Sequence, residues 1–175
     1  MLVLLYLAPA AFAAQPPAPP EVAAELPGAR LQGQARMRFF GMRIYDAQLW
    51  STARLARDDG WTQAPLALEI EYARSLDGRA IAERSVQEMK RQAALTEEQA
   101  ARWLSAMAGI FPDVKAGDRL TAVHRPGEGA RFFFNRASLG EIRDALFARL
   151  FFGIWLSART SEPALRDALL PASPP

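Results

Sequence analysis

Apolar and polar residues alternate along two stretches near the start of the chain. Gly33, Ala35, Met37 and Phe39 interleave with Gln34, Arg36, Arg38 and Phe40. After Gly41 the pattern resumes with Met42 and Ile44, then Tyr45, Ala47 and Leu49. A period of two predicts a strand pair over 30–50, and the one-residue slip at Ile44–Tyr45 predicts a bulge. Residues 51–65, with Gly60 and Pro65, read as a connection. The clearest alternation follows: Leu66, Leu68, Ile70 and Tyr72 share one strand face, and Ala67, Glu69, Glu71 and Ala73 share the other.

The period then lengthens. Asp77 is placed to cap a helix running to about Ala94, with Ala82, Val86, Met89 and Ala93 as its apolar stripe. Thr96 and Gln99 have capping-box spacing and open a second helix, which carries Trp103, Leu104, Met107 and Phe111 and stops at Pro112. Strands over 118–125 and 130–136 flank the turn Pro126-Gly127-Glu128-Gly129. Ser138 and Glu141 repeat the capping-box spacing and predict a helix to about Phe152, broken by Gly153. Ser161 is placed to cap a last helix, with Pro163 in its first turn and its end near Leu170. Strands and helices are segregated, so the expected class is α+β, an antiparallel sheet with helices over one face.

The ends differ from this middle. Leu2 to Phe12 is an almost wholly apolar run, too short to span a bilayer, and Ala11-Phe12-Ala13 has the small-x-small form of a signal-peptidase site. No basic residue precedes the run. Residues 1–13 are expected to be a signal peptide, which implies export to the periplasm in a bacterium. Residues 14–28 are rich in Pro and Ala and predict an extended linker, because prolines disfavour a helix interior. The tail 171–175 is expected to be disordered, leaving 29–170 as the domain.

Composition narrows the chemistry. The chain of 175 residues has no cysteine, which excludes disulfides, thiol catalysis, thiolate zinc sites and cysteine-linked lipid anchors. One histidine, His124, excludes a multi-histidine metal centre. No cofactor is expected. A net charge of +2 gives no reason to expect nucleic acid, and no apolar run outside the leader predicts a transmembrane anchor in the mature form. Of 21 basic residues only Lys90 and Lys115 are lysine, a bias that reads as coding composition rather than function.

The order of short motifs resembles the bacterial chalcone isomerase-like proteins. It begins with Gln32-Gly33 and the run from Arg38-Phe39-Phe40-Gly41 to Leu49-Trp50. The strand Leu66 to Tyr72 follows, then a helix bearing Glu83-Arg84. Phe111-Pro112 precedes Gly117-Asp118, and Phe151-Phe152-Gly153-Ile154-Trp155-Leu156 precedes Leu165 to Leu170. The resemblance implies an open-faced β-sandwich, a sheet covered by a helical layer. It also implies a choice of functions, since plant members cyclise chalcones and plastid relatives bind fatty acids without catalysis.

The plant catalytic set is mostly unmatched. Its strand threonine falls at Phe39 or Phe40, its Tyr–Asn pair near Asp77 and Arg84, and its late polar residue near Ser138. Only its arginine has a counterpart, Arg30 or Arg36. The expectation is therefore a non-catalytic domain that binds an apolar, fatty-acid-like small molecule in a cleft between sheet and helices. Arg36, Arg38 and Arg43, with Tyr45 and Tyr72 as hydroxyl partners, are the candidate ligand residues, since a guanidinium fork matches a carboxylate. The alternatives are a lyase or isomerase acting on an enone with a different constellation, and an interaction protein with no ligand. His124 reads as a surface or hydrogen-bonded histidine, Glu69 and Glu71 as a solvated strand face, and Asn135 as a weak anion site.

Overall fold

The computed structural model describes residues 16–170; the leader and the tail expected at 171–175 lie outside the described residues. Six strands form one antiparallel sheet in chain order: β1 (Arg30–Phe39), β2 (Met42–Ser51), β3 (Leu66–Tyr72), β4 (Arg119–Arg125), β5 (Gly129–Phe134) and β6 (Ala137–Ile142). The helices are α1 (Pro20–Glu25), α2 (Gly78–Gln92), α3 (Glu97–Ile110), α4 (Ala145–Leu156) and α5 (Pro163–Leu169). The α+β class and the covered antiparallel sheet are as the segregation of periods predicts.

Four helices, α2 to α5, cover the face that carries Leu66, Leu68, Ile70 and Tyr72. Phe132 is central to this core, 5.2 Å from Phe111 and 5.4 Å from Phe151 between ring centres, in edge-to-face contacts that suit aromatic quadrupoles. Local signals start the helices. Asp77 accepts from the Ala80 amide at 2.8 Å, and the Thr96–Gln99 capping box is formed in both directions. The β1–β2 register skips Ile44, the bulge that the phase slip predicts, and a second irregularity falls at Gln32. Next to it, a Cβ on Gly33 would overlap the Ala168 and Leu169 carbonyl oxygens, so the missing side chain is what lets α5 close on β1.

Four expectations need correction. Residues 137–142 form β6, not a helix start. Asn135 and Arg136 both have positive φ and make the tight β5–β6 turn, so Ser138 and Glu141 lie on a strand. The cap of α4 is Asp144, which accepts from the Phe147 amide at 3.0 Å and from Trp103 Nε1 at 2.9 Å. Gly153 does not break α4; it makes room for the Gln92 side chain, which donates to the Leu150 carbonyl at 2.7 Å. At α5 the N-cap is Glu162, with no side-chain cap bond, rather than Ser161.

The last correction concerns the linker. Pro19 is an N-cap and Pro20 the first helical residue, where a missing N–H costs nothing, so α1 forms despite the prolines. It packs on the second face of the sheet, burying Val22 and Leu26 against Trp50, Ala67, Val123 and Phe133. That second layer also buries Glu69, which is therefore not on a solvated face. The folded unit begins near residue 20 rather than at 29.

Candidate functional site

The bulge at Ile44 matters for the site. With an extra residue in β2, Ile44 and Tyr45 both reach the helix-covered side. There they join Met37 and Phe39 of β1 and Ile70 and Tyr72 of β3. Across from them stand Ile81, Arg84 and Glu88 of α2, and Phe151, Ile154 and Trp155 of α4. Between these walls is a half-open cavity of about 400 Å³, within the size range of small-molecule sites. Most of its lining is apolar, and the polar groups gather at Tyr45, Tyr72, Arg84, Ser85, Glu88, Ser161 and Glu162.

The two tyrosines chosen from sequence are both here, with ring centres 6.3 Å apart. The Tyr45 hydroxyl accepts a 3.0 Å hydrogen bond from Trp155 Nε1. Burial pushes Tyr45 up to about 12, against the pull of that bond, so it stays a neutral phenol. Burial, with Tyr45 close by, raises Tyr72 as well. Both hydroxyls are then hydrogen-bonding groups rather than bases at neutral pH.

The three arginines chosen with them are elsewhere. Arg36 and Arg38 alternate with Met37 and Phe39, so their side chains leave on the opposite face. Arg36 forks onto Asp46 at 2.7 and 3.0 Å, and Arg43 reaches the same carboxylate at 2.6 and 3.2 Å. Arg38 donates to the Gly41 carbonyl at 3.1 Å. The Arg36 hydrogen bond holds Asp46 below its usual range, with Arg43 adding to it. Asp46 faces Arg36 across the hairpin and lies three residues along β2 from Arg43.

The cavity's own guanidinium is Arg84, in the middle of α2. It bonds Glu88 at 2.7 Å, and Arg91 approaches the other Glu88 oxygen at 3.6 Å. In the sequence Arg84 stands in the Glu83-Arg84 motif of the family resemblance and near one position of the plant Tyr–Asn pair, not among the candidate ligand residues. Its position toward the mouth follows from α2 lying across β1 to β3, which no periodicity carries. At the positions of the plant catalytic set, Phe39 is an apolar wall, Asp77 is a helix cap and Ser138 is exposed on β6.

The remaining candidates have structural roles. His124 is buried, its Nδ1 3.1 Å from the Ala64 carbonyl and its ring 5.1 Å from that of Phe152. The carbonyl can only accept, so Nδ1 carries the proton, and burial lowers the pKa. Asn135 accepts from the Arg119 amide and donates to Asp118, both at 2.9 Å, so it holds a turn and offers no anion site. A second cavity, about 390 Å³ beside the β4–β5 turn, is lined by Arg125, Glu128, Glu141 and Arg143, which pair among themselves. Among the described residues no three metal-ligating side chains converge, and no helix is long and apolar enough to cross a membrane.

Comparison with known families fits this geometry. The model for chalcone isomerase-like proteins matches residues 21–171. The chain belongs to that family. A chalcone isomerase-like domain starting at 21 takes in α1, as the packing requires. Among solved structures it is similar to a fatty-acid binding protein of Arabidopsis thaliana, with a TM-score of 0.63 and 12% identity over 82% of this chain and 87% of that one. At that identity the likeness establishes the chalcone isomerase-like fold and nothing finer. No curated protein matches the chain.

Proposed function

We propose that this domain binds an apolar small molecule, fatty-acid-like in its chain, in the cavity between β1–β3 and the α2/α4 layer. The observation that carries the reading is the lining: apolar side chains from six elements face one another across unfilled space instead of closing on it. The fatty-acid binding neighbour supports the same reading through the shared fold. The lining holds one guanidinium, Arg84, against the carboxylates of Glu88 and Glu162, so the lining itself adds no excess positive charge for an acidic head group. Chain burial, not head-group charge, is then the main source of affinity.

Native mass spectrometry after mild extraction should reveal a co-purified apolar molecule. In solution, a fatty acid and its uncharged alcohol should bind comparably. Ala80, on the cavity wall but exposed, is a place to fill the space without disturbing the core. Ala80→Trp should abolish binding while leaving the unfolding midpoint near that of the wild type. Equal binding by Ala80→Trp and wild type would place the ligand elsewhere and sink the reading. The leader adds export to the proposal, and N-terminal sequencing of the mature protein should then begin at Ala14.

A further inference from the structure

Three of the most exposed large apolar side chains among the described residues belong to one turn. Phe39 is 56% exposed, Phe40 88% and Met42 49%, all at the tip of the β1–β2 hairpin. Phe40 also has φ +48°, the left-handed region that suits Gly or Asn and strains a bulky residue. Its ring contacts only Phe39 among the aromatic rings, at 4.5 Å. A phenylalanine in water on a strained backbone contributes nothing to folding that Asn would not improve, so the tip calls for a functional reason.

The charges around it are one-sided. Arg38 bonds only the Gly41 carbonyl, and Arg74 lies against Met42 with Nη1 3.4 Å from the sulfur. Arg36 and Arg43 share the single carboxylate of Asp46. Beyond them, Glu71 lies opposite Asp46 in the β2–β3 register and adds a second carboxylate, while Glu83 is paired with Arg79. Four guanidiniums against two carboxylates surround an aromatic tip. The same hairpin supplies Met37, Phe39 and Ile44 to the cavity wall, which makes the tip the rim of the cavity.

We propose that this tip docks on an anionic lipid bilayer, with Phe40 and Met42 in the interfacial layer and the arginines on the lipid phosphates. Aromatic and apolar side chains favour that layer, and basic ones are drawn to an anionic surface. The cavity rim then faces the source of an apolar ligand. That last consequence rests on the ligand reading above; the docking does not.

The four tryptophans, Trp50, Trp61, Trp103 and Trp155, are all buried, so a fifth at the tip reports its own depth. In Phe40→Trp, vesicles of brominated phosphatidylglycerol should quench fluorescence that the wild type does not lose. Brominated phosphatidylcholine should do so about thirtyfold more weakly in lipid concentration, from two uncompensated positive charges. Phe40→Asn suits the turn and should fold at least as well as the wild type. It should slow uptake of a fluorescent fatty acid from vesicles while leaving binding of the same probe from solution unchanged. No added quenching in Phe40→Trp overturns the proposal. So does a wild-type dimer that Phe40→Asn dissolves without any quenching, which would make the tip a contact between copies. Quenching without fatty-acid binding from solution would sustain the docking and remove the ligand reading.

Discussion

On one face of the sheet, Leu66, Leu68, Ile70 and Tyr72 lie under four helices; on the other, Ala67 and Glu69 lie under the six residues of α1. The first face is closed by area, with interlocked aromatic rings and buried polar groups such as the Gln92 amide and the Trp103 indole N–H given partners. The second is closed by charge and a few contacts. Glu25 is clasped by Arg125 at 2.6 Å and Arg131 at 2.7 Å, and Glu21 accepts from Thr121 at 3.0 Å. Beneath it, Glu21 and Glu69, 5% and 6% exposed, each keep one buried oxygen without a protein partner among the described residues. A short helix cannot bury enough apolar surface to hold a sheet face by itself. It is held by ion pairs at one end, and the buried carboxylates of Glu21 on α1 and Glu69 on β3 oppose its closure.

That contrast predicts a graded response. Phe132→Ala, on the helix-covered face, should cost about 3–5 kcal/mol of global stability in chemical denaturation. Glu25→Ala should cost about 1–2 kcal/mol, limited by partly exposed arginines, and should speed amide exchange over 20–26 without touching α2 or α4. A loss at Glu25 as large as that at Phe132 would mean the two faces form one cooperative unit. The smallest effect is at Glu69. Burial pushes its carboxyl above the usual range, against the pull of Arg119 at 3.6 Å, with Glu21 and Glu71 adding to the rise. Its folded pKa exceeds the unfolded one, so its contribution is full below the ordinary carboxylate value of about 4.3 and is lost as pH rises through the folded value. Relative to Glu69→Gln, the wild type should therefore lose stability with rising pH over that window. Glu25, Asp46 and His124, all shifted downward, are common to both proteins and drop out of the difference. A flat difference would show Glu69 to be better solvated than its burial implies.

The sequence was most legible where a residue's role is local. Asp77 and the Thr96–Gln99 pair cap helices because their partners are three residues away, and the slip at Ile44 appears in the alternation itself. It was least legible where the deciding partner is distant. Ser138 and Glu141 have the spacing of a capping box, but the turn at Asn135–Arg136 sets them on a strand paired with β5. Arg36 is free for a ligand in the alternation alone, and only the hairpin register sets Asp46 opposite it. Of the candidate site, Tyr45 and Tyr72 follow from strand phase plus the bulge. Arg84 does not, because its position depends on where α2 crosses the sheet. The composition of 15–28 correctly disfavours a helix interior there, yet Pro19 and Pro20 occupy the two positions at a helix start where proline is welcome.

The strand order carries one more consequence. Every ladder in this sheet joins consecutive strands, so each pairing can form as soon as its second strand leaves the ribosome. The seat of α5 at Gly33 is the exception, joining residues 163–169 to the first strand. The nascent chain can thus zip progressively while its first strand keeps an open flank. Only α5, synthesised after all six strands, closes that flank, a clasp on a sheet already assembled.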